Sequence, residues 1–187
     1  TPGIKKLLKE NKVMAKHLHI PLQSGSDKIL KLMNRRYNTE EFLNMVDNLR
    51  DIENISLTTD LIVGFPHEEE KNFNDTIETL KKIGFTKIHT FPYSRRSGTV
   101  ADRMDGQVDS IEKKKRVHQI LKISDESENN FYKNNIGKEY DGVVEEHDNG
   151  LVVVHTSNFI PVIIEDKVEN NSIVKIKIEK VDNHNVY

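Results

Sequence analysis

Apolar and polar residues alternate with a period of two over three stretches of the chain, and each stretch is followed by a segment with the period of a helix. In the first, His17 to Gln23, the residues Leu18, Ile20 and Leu22 share one face while His17, His19 and Gln23 share the other. Ser56 to Phe65 sets Leu57, Leu61 and Val63 against Thr58, Asp60 and Gly64, and Lys87 to Tyr93 puts His89, Phe91 and Tyr93 on a common face. The intervening segments carry helical stripes. Phe42, Leu43, Val46 and Leu49 follow a capping Thr39, and Phe73, Ile77, Leu80 and Ile83 precede a terminating Gly84. A third, longer helix is predicted behind a capping Ser110, with Ile111, Val117, Ile120, Leu121 and Ile123 on its stripe.

Strand starts about 30 to 40 residues apart with a helix between them are the repeat of a βα unit, so the three strands should form a parallel sheet. Its polar face carries His17, His19, Gln23, Thr58, Asp60, His89 and Tyr93. A doubly wound sheet is apolar on both faces, so a polar face predicts a lumen, and three strands make about half of a (β/α) barrel. After Asn134 and Asn135 the texture changes to short β-rich runs, 139–146, 151–156, 160–165 and 173–181, punctuated by turn signals at Asp148-Asn149-Gly150 and Glu169-Asn170-Asn171. The expected fold class is therefore α/β: a partial (β/α) barrel over residues 1–136, then a small all-β barrel over residues 137–187.

Charge and composition narrow the function. In 187 residues, 28 Lys and Arg stand against 30 Asp and Glu, which excludes a nucleic-acid binder held by bulk charge alone. There is no apolar run of about 20 residues and no signal-peptide core in the opening Thr1-Pro2-Gly3-Ile4-Lys5-Lys6, so the expectation is a cytoplasmic protein without a membrane partner. The chain opens without Met in a Lys-rich segment, which reads as a piece of a longer polypeptide. The absence of cysteine removes disulfides, thiol nucleophiles, Cys-ligated zinc and Cys-held iron–sulfur clusters from this chain.

Three groups of residues could carry chemistry. His17, His19, His89 and Asp60 supply imidazole and carboxylate for a divalent metal, the set a metal-dependent barrel hydrolase would need. Gln23-Ser24-Gly25-Ser26 and Gly64-Phe65-Pro66 end adjacent strands, where glycine permits close backbone approach and Gln or Ser offers hydrogen bonds to a ribose or a carboxylate. Residues 81–122 hold eleven basic and four acidic side chains, a candidate phosphate-backbone surface that would also suit a non-catalytic RNA-binding module.

The motifs in their order are more specific than any one of them. The run His17-Leu18-His19-Ile20-Pro21-Leu22-Gln23-Ser24-Gly25-Ser26, then Met33-Asn34-Arg35-Arg36-Tyr37, Thr59-Asp60-Leu61-Ile62-Val63-Gly64-Phe65-Pro66 and Phe91-Pro92-Tyr93-Ser94 with Gly98-Thr99 resembles the radical S-adenosylmethionine methylthiotransferases. The tail from about Ile136 is similar to their TRAM domain, a small tRNA-binding barrel. The His-Leu-His lead-in and the Met33–Tyr37 segment are most similar to the branch that acts on N6-threonylcarbamoyladenosine beside the anticodon.

The resemblance implies an S-adenosylmethionine cofactor and 4Fe-4S clusters whose Cys ligands lie outside this chain, which should be inactive alone. It implies Gln23, Ser24, Asp60 and Tyr93 as cofactor contacts with Arg36 as a carboxylate partner, and tRNA as a partner that Arg95, Arg96, Lys114 and Arg116 would contact at phosphates. His67 stands where the family usually has Gly, and Arg96-Ser97 where a Pro is common. Residues 137–187 carry five basic against ten acidic side chains, an awkward balance for phosphate binding. Half a barrel also leaves two open sheet edges, through which the isolated chain should self-associate.

Overall fold

A computed structural model of the chain describes residues 2–11, 13–146, 151–165 and 168–187. The elements run α1 (Pro2–Glu10), β1 (His17–His19), α2 (Asp27–Leu32), α3 (Thr39–Asp47), β2 (Ser56–Val63), α4 (Glu70–Ile83), β3 (Lys87–Pro92), α5 (Val100–Arg103), α6 (Ser110–Lys133) and β4 (Glu139–Glu146). They continue with β5 (Val152–Thr156), β6 (Pro161–Ile164), β7 (Ile173–Lys177), β8 (Val181–Asp182) and β9 (Asn185–Val186). Residues 19–49 and 57–127 form one compact unit; residues 1–18, 50–56 and 128–187 form the other. No helix among the described residues is long and apolar enough to cross a membrane.

The α/β unit is built on a three-stranded sheet of order β1-β2-β3, with β2 and β3 parallel from Thr58 opposite Lys87 to Val63 opposite Pro92. The first strand is shorter than the alternation of 17–23 predicts. Pro21 has no N–H to give the ladder, so regular pairing stops at His19. Contact with β2 resumes at Gln23, whose N–H donates to Asp60 O at 2.9 Å and whose carbonyl accepts Ile62 N–H at 2.9 Å. Between these points the buried Thr59 hydroxyl donates to Ile20 O at 2.8 Å and accepts Leu22 N–H at 2.9 Å, replacing the missing ladder bonds with side-chain ones.

The helices bury the stripes that the sequence marks, with corrections at their ends. Asn38 rather than Thr39 caps α3, its side chain accepting Glu41 N–H at 2.8 Å while Glu41 reaches back to Asn38 N–H at 3.1 Å. Asp109 rather than Ser110 caps α6, accepting Ile111 N–H at 2.7 Å. On α6, Ile120 is fully buried but Ile111 is 77% exposed, so that stripe is narrower than its apolar residues suggest. Gly84 closes α4 in the left-handed region as expected, at φ 69°.

Gly25 brings the loop after β1 directly onto α4. Its N–H donates to Thr76 Oγ1 at 3.2 Å and its carbonyl accepts the Thr79 hydroxyl at 2.9 Å. A Cβ placed there would lie 2.7 Å from Thr76 Cα, a backbone atom that cannot turn aside.

The β-rich unit contains a six-stranded sheet of order β7-β4-β5-β6-β9-β8. Strands β4, β5, β6 and β7 are antiparallel neighbours, with Val144 opposite Val154 and Gly142 opposite Val174, and β6 meets β9 in parallel at Val162 and Val186. Tyr132, Ile160, Val162, Ile178 and Val186 form its buried cluster. The expected run 173–181 divides into β7 and β8, and Asn171 takes φ 61° at the predicted turn, while the turn at Asp148-Asn149-Gly150 lies outside the described residues. Neither sheet closes into a barrel among the described residues; β1 and β3 are edges of one, β7 and β8 of the other.

Two consequences are measurable. Gly25→Ala should cost about 1–3 kcal/mol of stability by overpacking the loop against α4, read as a lowered denaturant midpoint with an unchanged slope. In the β-rich unit, hydrogen bonds from Lys9 (2.7 Å) and Lys5 (2.9 Å) hold the Asp51 carboxyl down at about 2. A depressed pKa contributes stability above the ordinary carboxylate value of about 4 and loses it as pH falls through the folded value. The melting-temperature gap between wild type and Asp51→Asn should therefore be present at neutral pH and vanish below about pH 2.

Candidate functional site

A cavity of about 620 Å³ opens at the C-terminal ends of the α/β unit's strands. Gln23, Asp60, Tyr93, Ser94, Arg96 and Thr99 give it polar groups, and Ile62, Phe65, Phe91 and Pro92 give it apolar walls. Its position follows from parallel strands all delivering their last residues to one end.

Backbone geometry aims each polar group. Gln23 sits in the left-handed region at φ 66°, held on both sides by its bonds to β2, and its Oε1 accepts from Arg35 Nη2 at 3.1 Å. Asp60 projects from the middle of β2, where its carboxylate lies 3.3 Å from His19 Nε2; the other nitrogen of that ring is 3.0 Å from Thr58 Oγ1. Tyr93 continues β3, donating its N–H to Val63 O at 2.8 Å, with its ring edge-on to Phe65 at 5.1 Å. Lys113 from α6 donates to Tyr93 O at 3.0 Å and its ammonium lies 5.2 Å from the ring centroid. The Tyr93 hydroxyl is buried at this cavity and has no hydrogen-bond partner among the described residues.

Of the five residues expected to meet a cofactor, the structure brings together Gln23, Asp60 and Tyr93. Ser24 is fully buried, its hydroxyl accepts Ser26 N–H at 3.2 Å, and it is not among the residues lining the cavity. Arg36 is exposed and also outside the lining, and the guanidinium that reaches Gln23 belongs to Arg35. Missed was the wall Phe91. The shared face of Phe91 and Tyr93 on β3 was the available signal.

Among the expected phosphate contacts, Lys114 is exposed and Arg96 lines the cavity. Arg95 is engaged within its own loop, bonding Asp102 Oδ1 at 2.8 Å and Asp102 O at 2.7 Å. Arg116 is 4% exposed, and its guanidinium donates to Glu68 Oε2 and Glu68 O at 2.7 Å each and to Glu112 Oε1 at 3.0 Å. Glu68 is also buried and accepts Gly64 N–H at 2.5 Å; burial nevertheless pushes its carboxyl above the usual range. The guanidinium thus already has three acceptor oxygens.

The metal set does not assemble. His19 and His89 are ring neighbours at 5.8 Å, but His17 stacks on Phe159 at 4.5 Å in the β-rich unit. No group of three or more His, Cys, Asp or Glu residues among the described ones could hold a metal ion.

Comparison with known proteins agrees with the motif order. Residues 1–80 match the family model described as the radical SAM superfamily. The chain is 38% identical over 179 residues to a tRNA-2-methylthio-N(6)-dimethylallyladenosine synthase of Lachnoclostridium phytofermentans, covering 93% of this chain and 39% of that protein. It is 35% identical over 189 residues to a threonylcarbamoyladenosine tRNA methylthiotransferase of Bacillus subtilis, covering 96% of this chain and 42% of that protein. A second protein of the latter name, from Thermotoga maritima, is 42% identical over 137 residues, 73% of this chain and 32% of its own length. The chain thus spans about two-fifths of the curated relatives it matches over nearly its whole length.

Arg116 and Lys114 separate the two roles that a basic residue on α6 can play. Arg116→Ala leaves Glu68 as a buried, unpaired acid and should cost on the order of 3–5 kcal/mol, whereas Lys114→Ala should leave the thermal melt unchanged.

Proposed function

Because the chain belongs to the radical S-adenosylmethionine methylthiotransferase family, we propose that it is the C-terminal portion of an enzyme that adds a methylthio group to a hypermodified adenosine of tRNA. Residues 1–136 would contribute half of the radical-enzyme barrel and residues 137–187 its TRAM domain. The edges at β1 and β3 would meet the rest of the barrel, and in the isolated chain they are open to pairing with a second copy.

The observation that carries this reading is the cavity itself. Its mixture of groups fits S-adenosylmethionine: aromatic walls at Phe65, Phe91 and Tyr93 for the adenine, and acceptors at Gln23 and Asp60 for ribose hydroxyls or the ammonium. The bound cofactor would supply radical hydrogen abstraction, using a 4Fe-4S cluster whose cysteine ligands this chain does not contain. This chain's own residues would bind and orient the cofactor, keep water from it with Phe65 and Phe91, and present Lys114 and Arg96 to the phosphates of tRNA.

The threonylcarbamoyl form of the substrate is the finer reading, supported by the His17–His19 lead-in and the Met33–Tyr37 segment. Deleting the gene should remove the methylthio form of threonylcarbamoyladenosine from bulk tRNA, read by nucleoside mass spectrometry. Loss of the dimethylallyl form instead would assign the other branch.

In the full-length, cluster-reconstituted protein, Gln23→Ala and Asp60→Asn should each weaken S-adenosylmethionine binding by on the order of tenfold, the value of one charge-assisted hydrogen bond. The melt should be unchanged, and unaltered affinity in both variants would remove the cavity from the cofactor site.

A further inference from the structure

A second cavity, of about 440 Å³, lies within the β-rich unit beside Phe159. Its walls include Val13, Val143 and Ile173, its polar rim Asp141, Glu145 and His155. Phe159 is 54% exposed and holds φ 66°, a backbone region that a bulky residue rarely occupies and that costs free energy.

The turn around Phe159 enforces that conformation. Asn158 and Ile160, on either side of it, are fully buried. Thr156 Oγ1 donates to Asn158 Oδ1 at 2.6 Å and accepts Ile160 N–H at 2.8 Å, while Asn158 Nδ2 donates to Asn54 O at 3.3 Å. Phe159 N–H itself donates to Thr156 O at 2.9 Å. A buried polar clamp thus pushes one large ring outward, where it stacks with the His17 imidazole at 4.5 Å and an interplanar angle of 27°, and lies 6.2 Å from the His155 ring. A residue serving the core would be turned inward; this one is about half exposed.

We propose that the Phe159 turn is a stacking site for one unpaired nucleobase of RNA, one bearing an exocyclic amino group, as adenine and cytosine do. The proposal rests on the tRNA reading above and adds a site and a mode of contact to it. The flat His17–Phe159 pair offers a π-face, which every base can use. Among the described residues no Lys or Arg lines the cavity, and Glu145 lies 3.1 Å from His155 Nδ1 at its rim, so the described lining offers phosphate no cationic partner. The carboxylates of Asp141 and Glu145 are acceptors only, and the donor they suit on a base is the amino group. Phosphate contact and base contact therefore fall to different residues: Lys114 and Arg96 for the backbone, Phe159 for a base.

The test is titration of the full-length protein with labelled single-sequence oligoriboadenylate, oligoribocytidylate and oligouridylate, and with tRNA, across a salt series. Adenine and cytosine oligomers should bind tighter than uracil ones. Phe159→Gly, which the left-handed backbone accepts without strain, should weaken binding by on the order of tenfold, with the slope against salt unchanged because no ionic contact is lost. Phe159→Tyr should retain affinity, and Asp141→Asn should narrow the preference for amino-bearing bases. Wild-type affinity in Phe159→Gly, with tRNA still bound, overturns the stacking site and leaves the functional reading standing. A wild-type protein that binds no tRNA overturns both. An arginine-rich peptide that binds tighter than every oligomer and loses affinity in Phe159→Gly reassigns the pocket to a cationic partner and overturns the proposal.

Discussion

The buried Glu68 carboxylate holds the α/β unit's functional end in place. Its Oε2 accepts the N–H of Gly64, the residue at which β2 gives way to the loop carrying Phe65, and the same oxygen takes the guanidinium of Arg116 from α6. Arg116 also bonds the backbone carbonyl of Glu68 and lies 5.2 Å from the Phe73 ring of α4. One ion pair thereby joins the end of β2, the approach to α4 and the long α6. Such a pair is a costly way to gain stability, because both ions must give up water. What it provides is direction: Phe65 and Tyr93 meet edge-on in the cavity wall because the loop between strand and helix has one place to go.

This arrangement also explains which parts of the structure could be read from residues alone. Strands β2, β3, β4 and β5 announce themselves by alternation, and Gly84 announces the end of α4, because each signal is local. The interruption of β1 at Pro21 and its repair by the Thr59 hydroxyl are not local; they depend on a residue of the neighbouring strand. The two-residue strands β8 and β9 are too short for any period to register. At the cavity, Gln23, Asp60 and Tyr93 were legible as polar residues at strand ends. Arg116 was not, since four successive basic residues, Lys113 to Arg116, look alike in sequence and only packing decides that Lys113 turns to Tyr93, Arg116 to Glu68, and Lys114 to solvent.

The charge distribution makes a related point about the whole molecule. A near-neutral chain with its basic excess in residues 81–122 and its acidic excess in residues 137–187 does not present a uniform field to a polyanion. Recognition of RNA by such a chain has to divide between residues that meet phosphates and residues that meet bases, because an acidic surface lowers the affinity of the first kind of contact and leaves the second nearly untouched. Backbone contacts set register without reading sequence, and base contacts read sequence with little help from charge. A segment as acidic as residues 137–187 is thus compatible with a role in RNA recognition through ring faces and hydrogen-bond acceptors rather than through phosphate contacts.

Strain gives that division its physical mark. The left-handed residues Asn34, Asn54, His67, Asn171, Asn183 and His184 are of types enriched at positive φ. Gln23 and Phe159 have no such excuse, and both stand at a cavity with their backbones fixed by bonds to buried partners. Holding an unsuited side chain in an unfavourable conformation lowers stability, so it persists where the surrounding structure over-determines it and the position of that side chain matters. For Gln23 the surrounding structure is β2, which grips its N–H and carbonyl; for Phe159 it is the Thr156–Asn158 clamp. The two cavities are thus defined by one device, a rigid buried scaffold that spends conformational energy to aim a single side chain at the space where a ligand would lie.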